Sequence, residues 1–452
     1  MDITPVEVGY PNRGHWLLYA LFYVLLLLLT PNAGFTSDVV CWMGWATQMG
    51  AHGFTTAYDL DSNNYNPLYQ YVLYAYAKLA GNPTRIAEYI HWLKTFTLLF
   101  DFGGAVLAAR FFGRGDGNQR FMLSLLFLFN IGYLYNTVVW EQVDAILSTL
   151  LFVALIQGLR QRHVSSAIVY LLAVNMKSQG ILLLPPMLLL WAPQWWQAPR
   201  RLAQSIALGA LVQLIILAPF IWSGAIVRIA HLVYDAASYF PYASLNCYNM
   251  WAWIIDSFTA PDSQAFVGIT YKKWGLLSFL LASAVVLLPL GLATMQKVRT
   301  RQLFGPADYE LVLLSMGLVP VACCFFNTQM HERYWHPALV LLGAYAVLTQ
   351  RYTLFGLLSL AYFLNVEGVM SYLLPSHFSA EWLEEIAKAQ VPNYLLPSSL
   401  VHTSLLFNPS IIAGLFALVL LGGTWQLYRL ASPWAAWQLL RQPRRPATAV
   451  SS

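Results

Sequence analysis

Charge is what this chain has least of. Asp, Glu, Lys and Arg make up 10% of its 452 residues, where a soluble domain carries about a quarter. So few charges cannot cover a water-facing surface. With 58% apolar residues and a mean hydropathy of +0.55, the chain is expected to be a polytopic helical membrane protein. The net charge of +5 is small for this length, which argues for orientation in a bilayer and against a nucleic-acid partner. Cysteine is scarce as well. Only Cys41, Cys247, Cys323 and Cys324 occur, with no C-x-x-C and no His/Cys spacing suited to structural zinc. Cys41 and Cys247 fall on one expected side of the membrane, which leaves a disulfide between them open. No small-residue cleavage site follows the first apolar run, so that run reads as a retained helix. No fixed-period repeat is visible, which weakens a transporter built from inverted halves.

Apolar runs, in contrast, recur from end to end. At about 20 residues per crossing they divide the chain into about twelve spans. These lie near Trp16–Leu29, Tyr89–Phe112, Phe121–Val139 and Ala145–Leu159, then in a hairpin of Ala167–Val174 and Ile181–Leu190. The rest lie near Ser205–Trp222, Leu276–Ala293, Leu311–Phe326, Ala338–Leu348, Leu354–Leu373 and Ile411–Tyr428. The expected fold is all-α, one integral-membrane domain over residues 1–440 followed by a basic tail at 441–452. Residues 30–85 make a long first outer loop, in which Val39–Met49 and Leu68–Leu79 suit amphipathic helices at the interface. Further outer loops cover 223–273 and 375–405. The hairpin breaks at Asn175–Gly180, NMKSQG, and interrupted spans are where irregular backbone surrounds a cavity.

The basic residues orient these spans. Arg110, Arg114, Arg120, Arg160, Arg162, Lys297, Arg299, Arg301 and Arg351 all fall in inner turns, whereas the outer side holds few. By the positive-inside rule both termini are cytoplasmic. One consequence is that polar residues from five separate span ends land on the outer face.

Chief among these is Asn327–Pro337, NTQMHERYWHP, lodged between two apolar runs. A His-Glu-Arg triplet is expensive near lipid and marks a site more often than it adds stability. Pro337 suits the first turn of the next helix, so His331, Glu332 and Arg333 would precede a helix N-terminus that favours an anion. Snorkelling of Arg333 with Glu332 as its partner is the plainer account. Asp38 is suited to general-base work and equally to capping Val39–Met49. Asp59 and Asp61 form a D-x-D that is a weak candidate for a divalent cation. Glu141, Gln142 and Asp144 suit a helix start. Lys177, within the hairpin break beside Gln179, either neutralises a phosphate or snorkels. Asn246 and Asn249 beside Tyr248 and Trp251 suit a sugar ring, or an interfacial aromatic belt.

Together these stretches resemble the GT-C superfamily of integral-membrane glycosyltransferases that use polyprenyl-phosphate-linked sugars. The nearest likeness is to bacterial proteins similar to the GPI-anchor mannosyltransferases. It runs from Asp38, with Trp45 and Gly50, through YNPLYQYVL at Tyr65–Leu73 and LLFDFGGAVLAARFF at Leu98–Phe112. It continues through WEQVDAI at Trp140–Ile146, LAVNMKSQGILLLP at Leu172–Pro185, SLNCYNMW at Ser244–Trp251 and MHERYWHPAL at Met330–Leu339. The family's Tyr-Pro-Pro is Tyr-Asn-Pro here, its Gly-Gln is Glu-Gln, and its Lys-Pro-Gln is Lys-Ser-Gln. The resemblance implies a hexose, such as mannose, passed from a polyprenyl phosphate to a lipid, glycan or protein acceptor. The site would face the periplasm from a bacterial inner membrane, amid membrane lipids, with no certain cofactor. It implies Asp38 as base on one side of the sugar C1. On the other side, His331, Arg333 and Lys177 would hold the donor phosphate. Tyr65, Gln142, Asp144, Gln179, Asn246, Asn249, Trp251 and Glu332 would support them. The rival reading is a flippase for polyprenyl-linked lipids, against which stands the lack of a matching inner cationic site.

Overall fold

The structure, a computed structural model, describes residues 11–30, 34–235, 239–257, 260–376 and 395–431. The tail at 441–452 and most of the loop expected at 375–405 lie outside the described residues. The first half of the chain runs α1 (Arg13–Leu29), α2 (Thr36–His52), α3 (Pro67–Ala80), α4 (Pro83–Tyr89), α5 (Leu93–Phe112), α6 (Gly117–Leu128), α7 (Ile131–Val138), α8 (Asp144–Leu159) and α9 (His163–Met176). The second half runs α10 (Leu184–Gln197), α11 (Pro199–Trp222), α12 (Ile226–Asp235), α13 (Tyr271–Thr300), α14 (Tyr309–Phe326), α15 (His336–Thr349), α16 (Thr353–Ser376), α17 (Ser398–Thr403) and α18 (Pro409–Ala431). A two-residue hairpin, Ala265–Phe266 with Ile269–Thr270, precedes α13.

Among the described residues six helical stretches are long and apolar enough to cross a membrane: Pro83–Phe112, Pro199–Trp222, Tyr271–Thr300, Pro306–Phe326, Thr353–Ser371 and Pro409–Ala431. The chain is thus a helical membrane protein. α1, α8, α9 and α15 are apolar but shorter. The single span expected at Phe121–Val139 is instead two helices, α6 and α7, bent by 61°. Asn130 causes the break, because its side chain accepts the Tyr133 N–H at 3.2 Å and Asn competes well for an N-cap.

The helices sort by what surrounds them. α8, α14 and α15 are buried on nearly every face, and a helix apolar all round belongs inside a larger body. α11 and α13 instead leave Leu208, Leu211, Leu214, Ile215, Leu277, Leu280 and Leu281 exposed, a surface that suits lipid contact. α2 and α3 form where amphipathic helices are expected. Their inner faces, with Trp42, Trp45 and Met49 on α2 and Tyr69 and Leu73 on α3, are buried together in one apolar cluster. Asn66, just before α3, donates to the Val174 carbonyl of α9 at 2.6 Å. The first loop is thereby fastened to the hairpin.

Candidate functional site

The bundle brings four segments together at one end: the first turn of α2, the α7–α8 turn, the break after α9 and the α14–α15 loop. Asp38 lies in the first turn of α2, but the N-cap is Phe35, which makes no side-chain cap bond. The cap alternative for Asp38 therefore falls away. Its Oδ2 accepts instead from Gln142 Nε2 at 2.5 Å and Trp140 Nε1 at 3.3 Å. Arg333 Nη2 faces the same oxygen at 3.8 Å, and the Asp38 side chain keeps 20% exposure. It is a carboxylate fixed by neutral donors and still open on one side.

Arg333 is buried and donates from Nη1 to Glu332 Oε1 at 2.8 Å. Its guanidinium stands 5.9 Å from the Trp140 ring and 6.0 Å from that of Tyr334. The snorkelling account does not describe it, since it points into protein. Burial disfavours the Glu332 carboxylate, but His331 at 3.8 Å and the Arg333 charge outweigh this and hold it below the usual carboxylate range. For His331, burial and then Arg333 push the ring below its ordinary value. The imidazole is therefore neutral near pH 7 and offers a hydrogen bond rather than a positive charge.

The loop carrying these residues is braced from behind. Leu245 N–H donates to the Met330 carbonyl at 3.0 Å, and Gln329 N–H to that of Tyr242 at 3.1 Å. Gln329 Nε2 reaches Asp262 Oδ2 at 2.6 Å, while Phe240 sets its ring against His331. α15 then starts at His336 with Pro337 in its first turn, so the triplet does stand just ahead of a helix N-terminus.

Lys177 is buried and its ammonium donates to the Asp144 carboxylate. Nζ lies 5.6 Å from the Tyr65 ring and 5.8 Å from the Tyr334 ring. Asn136 Nδ2 holds the other Asp144 oxygen at 3.0 Å. Tyr65 donates its hydroxyl to Gln142 Oε1 at 2.9 Å, so Gln142 links Tyr65 to Asp38. Gln179 stands by the Tyr334 hydroxyl. Lys177 is thus half of a buried pair, not a snorkelling cation.

Other expectations need correction. Asn249 Nδ2 donates to the Cys324 carbonyl at 2.8 Å and Oδ1 accepts from Trp251 N–H at 3.1 Å. Trp251 is fully buried and its Nε1 donates to the Phe326 carbonyl at 3.1 Å. Neither offers a face to a sugar, because their polar atoms satisfy buried backbone. Asn246, at φ 61°, serves through its carbonyl, which accepts from Asn365 Nδ2 at 2.9 Å. Asp61 pairs with Arg228 at 2.6 Å and is fully exposed; neither it nor Asp59 contacts the Asp38 group among the described residues. Cys41 and Cys247 are not joined, and all four cysteines are free thiols. Base and phosphate clamp do not stand apart either, since Asp38 and Arg333 approach to 3.8 Å. A donor phosphate would compete for Arg333 with both Asp38 and Glu332.

Trp140, Asn136 and Tyr334 were not expected at the site. Asn136 lies near the end of α7, Trp140 in the turn and Asp144 at the start of α8, so no helical periodicity marked them. No protein-family model and no curated protein matches the sequence.

The bracing role of Asn249 predicts a separation of effects. Asn249→Ala should lose about 1–3 kcal/mol of stability by leaving the Cys324 carbonyl only the Cys247 thiol at 3.7 Å, and, on the transferase reading proposed below, leave the donor Michaelis constant unchanged. Thermal unfolding alongside donor titration measures both.

Proposed function

We propose that this chain is an inverting glycosyltransferase of the GT-C kind. It would pass a hexose such as mannose from a polyprenyl phosphate to a lipid, glycan or protein acceptor. The membrane is read as a bacterial inner membrane crossed about twelve times, with the site facing outward and both termini inside. The observation that supports this most is the setting of Asp38. Its carboxylate is held by two neutral donors, is open on one side, and has Arg333 at 3.8 Å. In-line transfer needs the base and the anion-binding cation on opposite sides of C1, so on this reading the donor enters by separating Asp38 from Arg333.

In the reaction the acceptor hydroxyl attacks C1 of the sugar. The C1–O bond to phosphate breaks with its electron pair going to the leaving group, and the hydroxyl proton passes to Asp38. Polyprenyl phosphate leaves already anionic, so it needs stabilising donors more than an acid. Arg333, neutral His331 and the N-terminus of α15 supply such donors. Glu332 orients Arg333 rather than reacting. The Lys177–Asp144 pair, close behind Tyr65 and Tyr334, steadies the wall of the site.

Purified protein in lipid, given a panel of polyprenyl-phosphate sugars and envelope acceptors, is expected to release polyprenyl phosphate. Running the assay with and without EDTA decides whether a divalent cation takes part. Donor binding without release from any donor would overturn the transferase reading and favour the flippase.

A further inference from the structure

We propose that Glu141 is a positioning residue, held in a left-handed backbone conformation so that its two neighbours can grip Asp38; this rests on the glycosyltransferase reading above. Glu141 has φ 63°, a region that L side chains other than Asn and Asp seldom adopt. The residues on either side, Trp140 and Gln142, are the two that hold the Asp38 carboxylate. Backbone bonds fix both flanks: Trp140 N–H to the Tyr135 carbonyl at 3.0 Å and Gln142 N–H to that of Asn136 at 2.8 Å. Phe35 N–H also donates to the Trp140 carbonyl at 2.9 Å, which ties the start of α2 to the same turn. Residue 141 is thus the pivot between the two donors.

The Glu141 side chain is buried. Its Oε2 lies 2.6 Å from His91 Nδ1 and its Oε1 lies 3.1 Å from Lys94 Nζ. Gly34 closes over it: at φ 55°, a Cβ there would come within 2.7 Å of Glu141 Oε2. Glycine would adopt the pivot conformation unaided. A glutamate holds it because its carboxylate is anchored at the start of α5; the pivot conformation, not the anchor, sets where Gln142 Nε2 points.

The test compares Glu141→Gly with Glu141→Ala. Both delete the anchor, but only glycine takes positive φ without strain. Glu141→Ala should lower kcat about tenfold, the factor that 1.4 kcal/mol represents and the scale of left-handed backbone strain. The donor KM should hardly move. Glu141→Gly should stay within a factor of about three of the parent. Equal losses in both would mean that the carboxylate itself is required, and no loss in either would mean that the pivot is irrelevant; each overturns the proposal. Thermal unfolding is read in parallel and needs no activity. Glycine above alanine supports the pivot, against glycine's ordinary disadvantage, and alanine level with or above glycine overturns it. A parent without transferase activity would count against the proposed function alone, leaving the unfolding order to decide the pivot.

Discussion

Asp38→Asn is expected to abolish sugar transfer while donor binding survives. Asparagine has the same shape, and its side-chain oxygen can still accept from Gln142 and Trp140, so the turn that holds it should persist. What disappears is the capacity to take a proton, and a positioned general base contributes typically about 10²–10⁴-fold to rate. Arg333 would lose one of its two anionic neighbours and keep Glu332 at 2.8 Å. Donor affinity should therefore stay level or rise slightly, since the incoming phosphate competes with one carboxylate fewer. Single-turnover release of polyprenyl phosphate, set beside direct donor binding, separates the two quantities. Turnover near the parental rate would remove Asp38 from the chemistry and leave it as a counter-ion of Arg333.

Lys177→Met should be as severe, and for a different reason. Lys177 and Asp144 are both buried, and removing one partner of a buried ion pair typically costs about 3–5 kcal/mol, because the other charge is left stranded. Asn136 remains as a neutral donor to Asp144, too weak to replace an ammonium. Adding Asp144→Asn should restore much of the lost stability, since a neutral pair carries no stranded charge. Transfer should not return with it, because the wall behind Tyr65 and Tyr334 would have lost its cation. Denaturation of the two variants in lipid, with donor binding measured on each, tests this. Unchanged unfolding of Lys177→Met would show that the pair is not structural, and full recovery of transfer in the double variant would free Lys177 of any role with the donor.

The departures from the GT-C pattern that the sequence resembles read differently once the backbone is known. Glu-Gln in place of Gly-Gln looks like a loss at a tight turn. Here Glu141 keeps the left-handed conformation at φ 63° with His91 and Lys94 at its carboxylate. Nothing in the sequence near residue 141 indicates those partners, which come from residues some fifty positions earlier at the head of α5. The aromatic stretch at Ser244–Trp251 misled in the opposite direction. Its amides and indole suit a sugar by type, but burial assigns them to the Cys324 and Phe326 carbonyls.

The sequence by itself determined the helical membrane class, the break after Met176 and the start of α15 at His336–Pro337. These are local matters: a run of apolar residues, a polar interruption and a proline act on the backbone within a turn or two. The tertiary structure alone decided the pairings between distant segments: Asp38 with Gln142 and Trp140, and Lys177 with Asp144. Such pairings depend on which helix ends become neighbours and on the rotation of each helix about its axis. α8, α14 and α15 are apolar on every face, so no periodicity in their sequences marks a preferred side. Their rotation is settled by close packing against the other helices, and that packing carries the polar ends into one site.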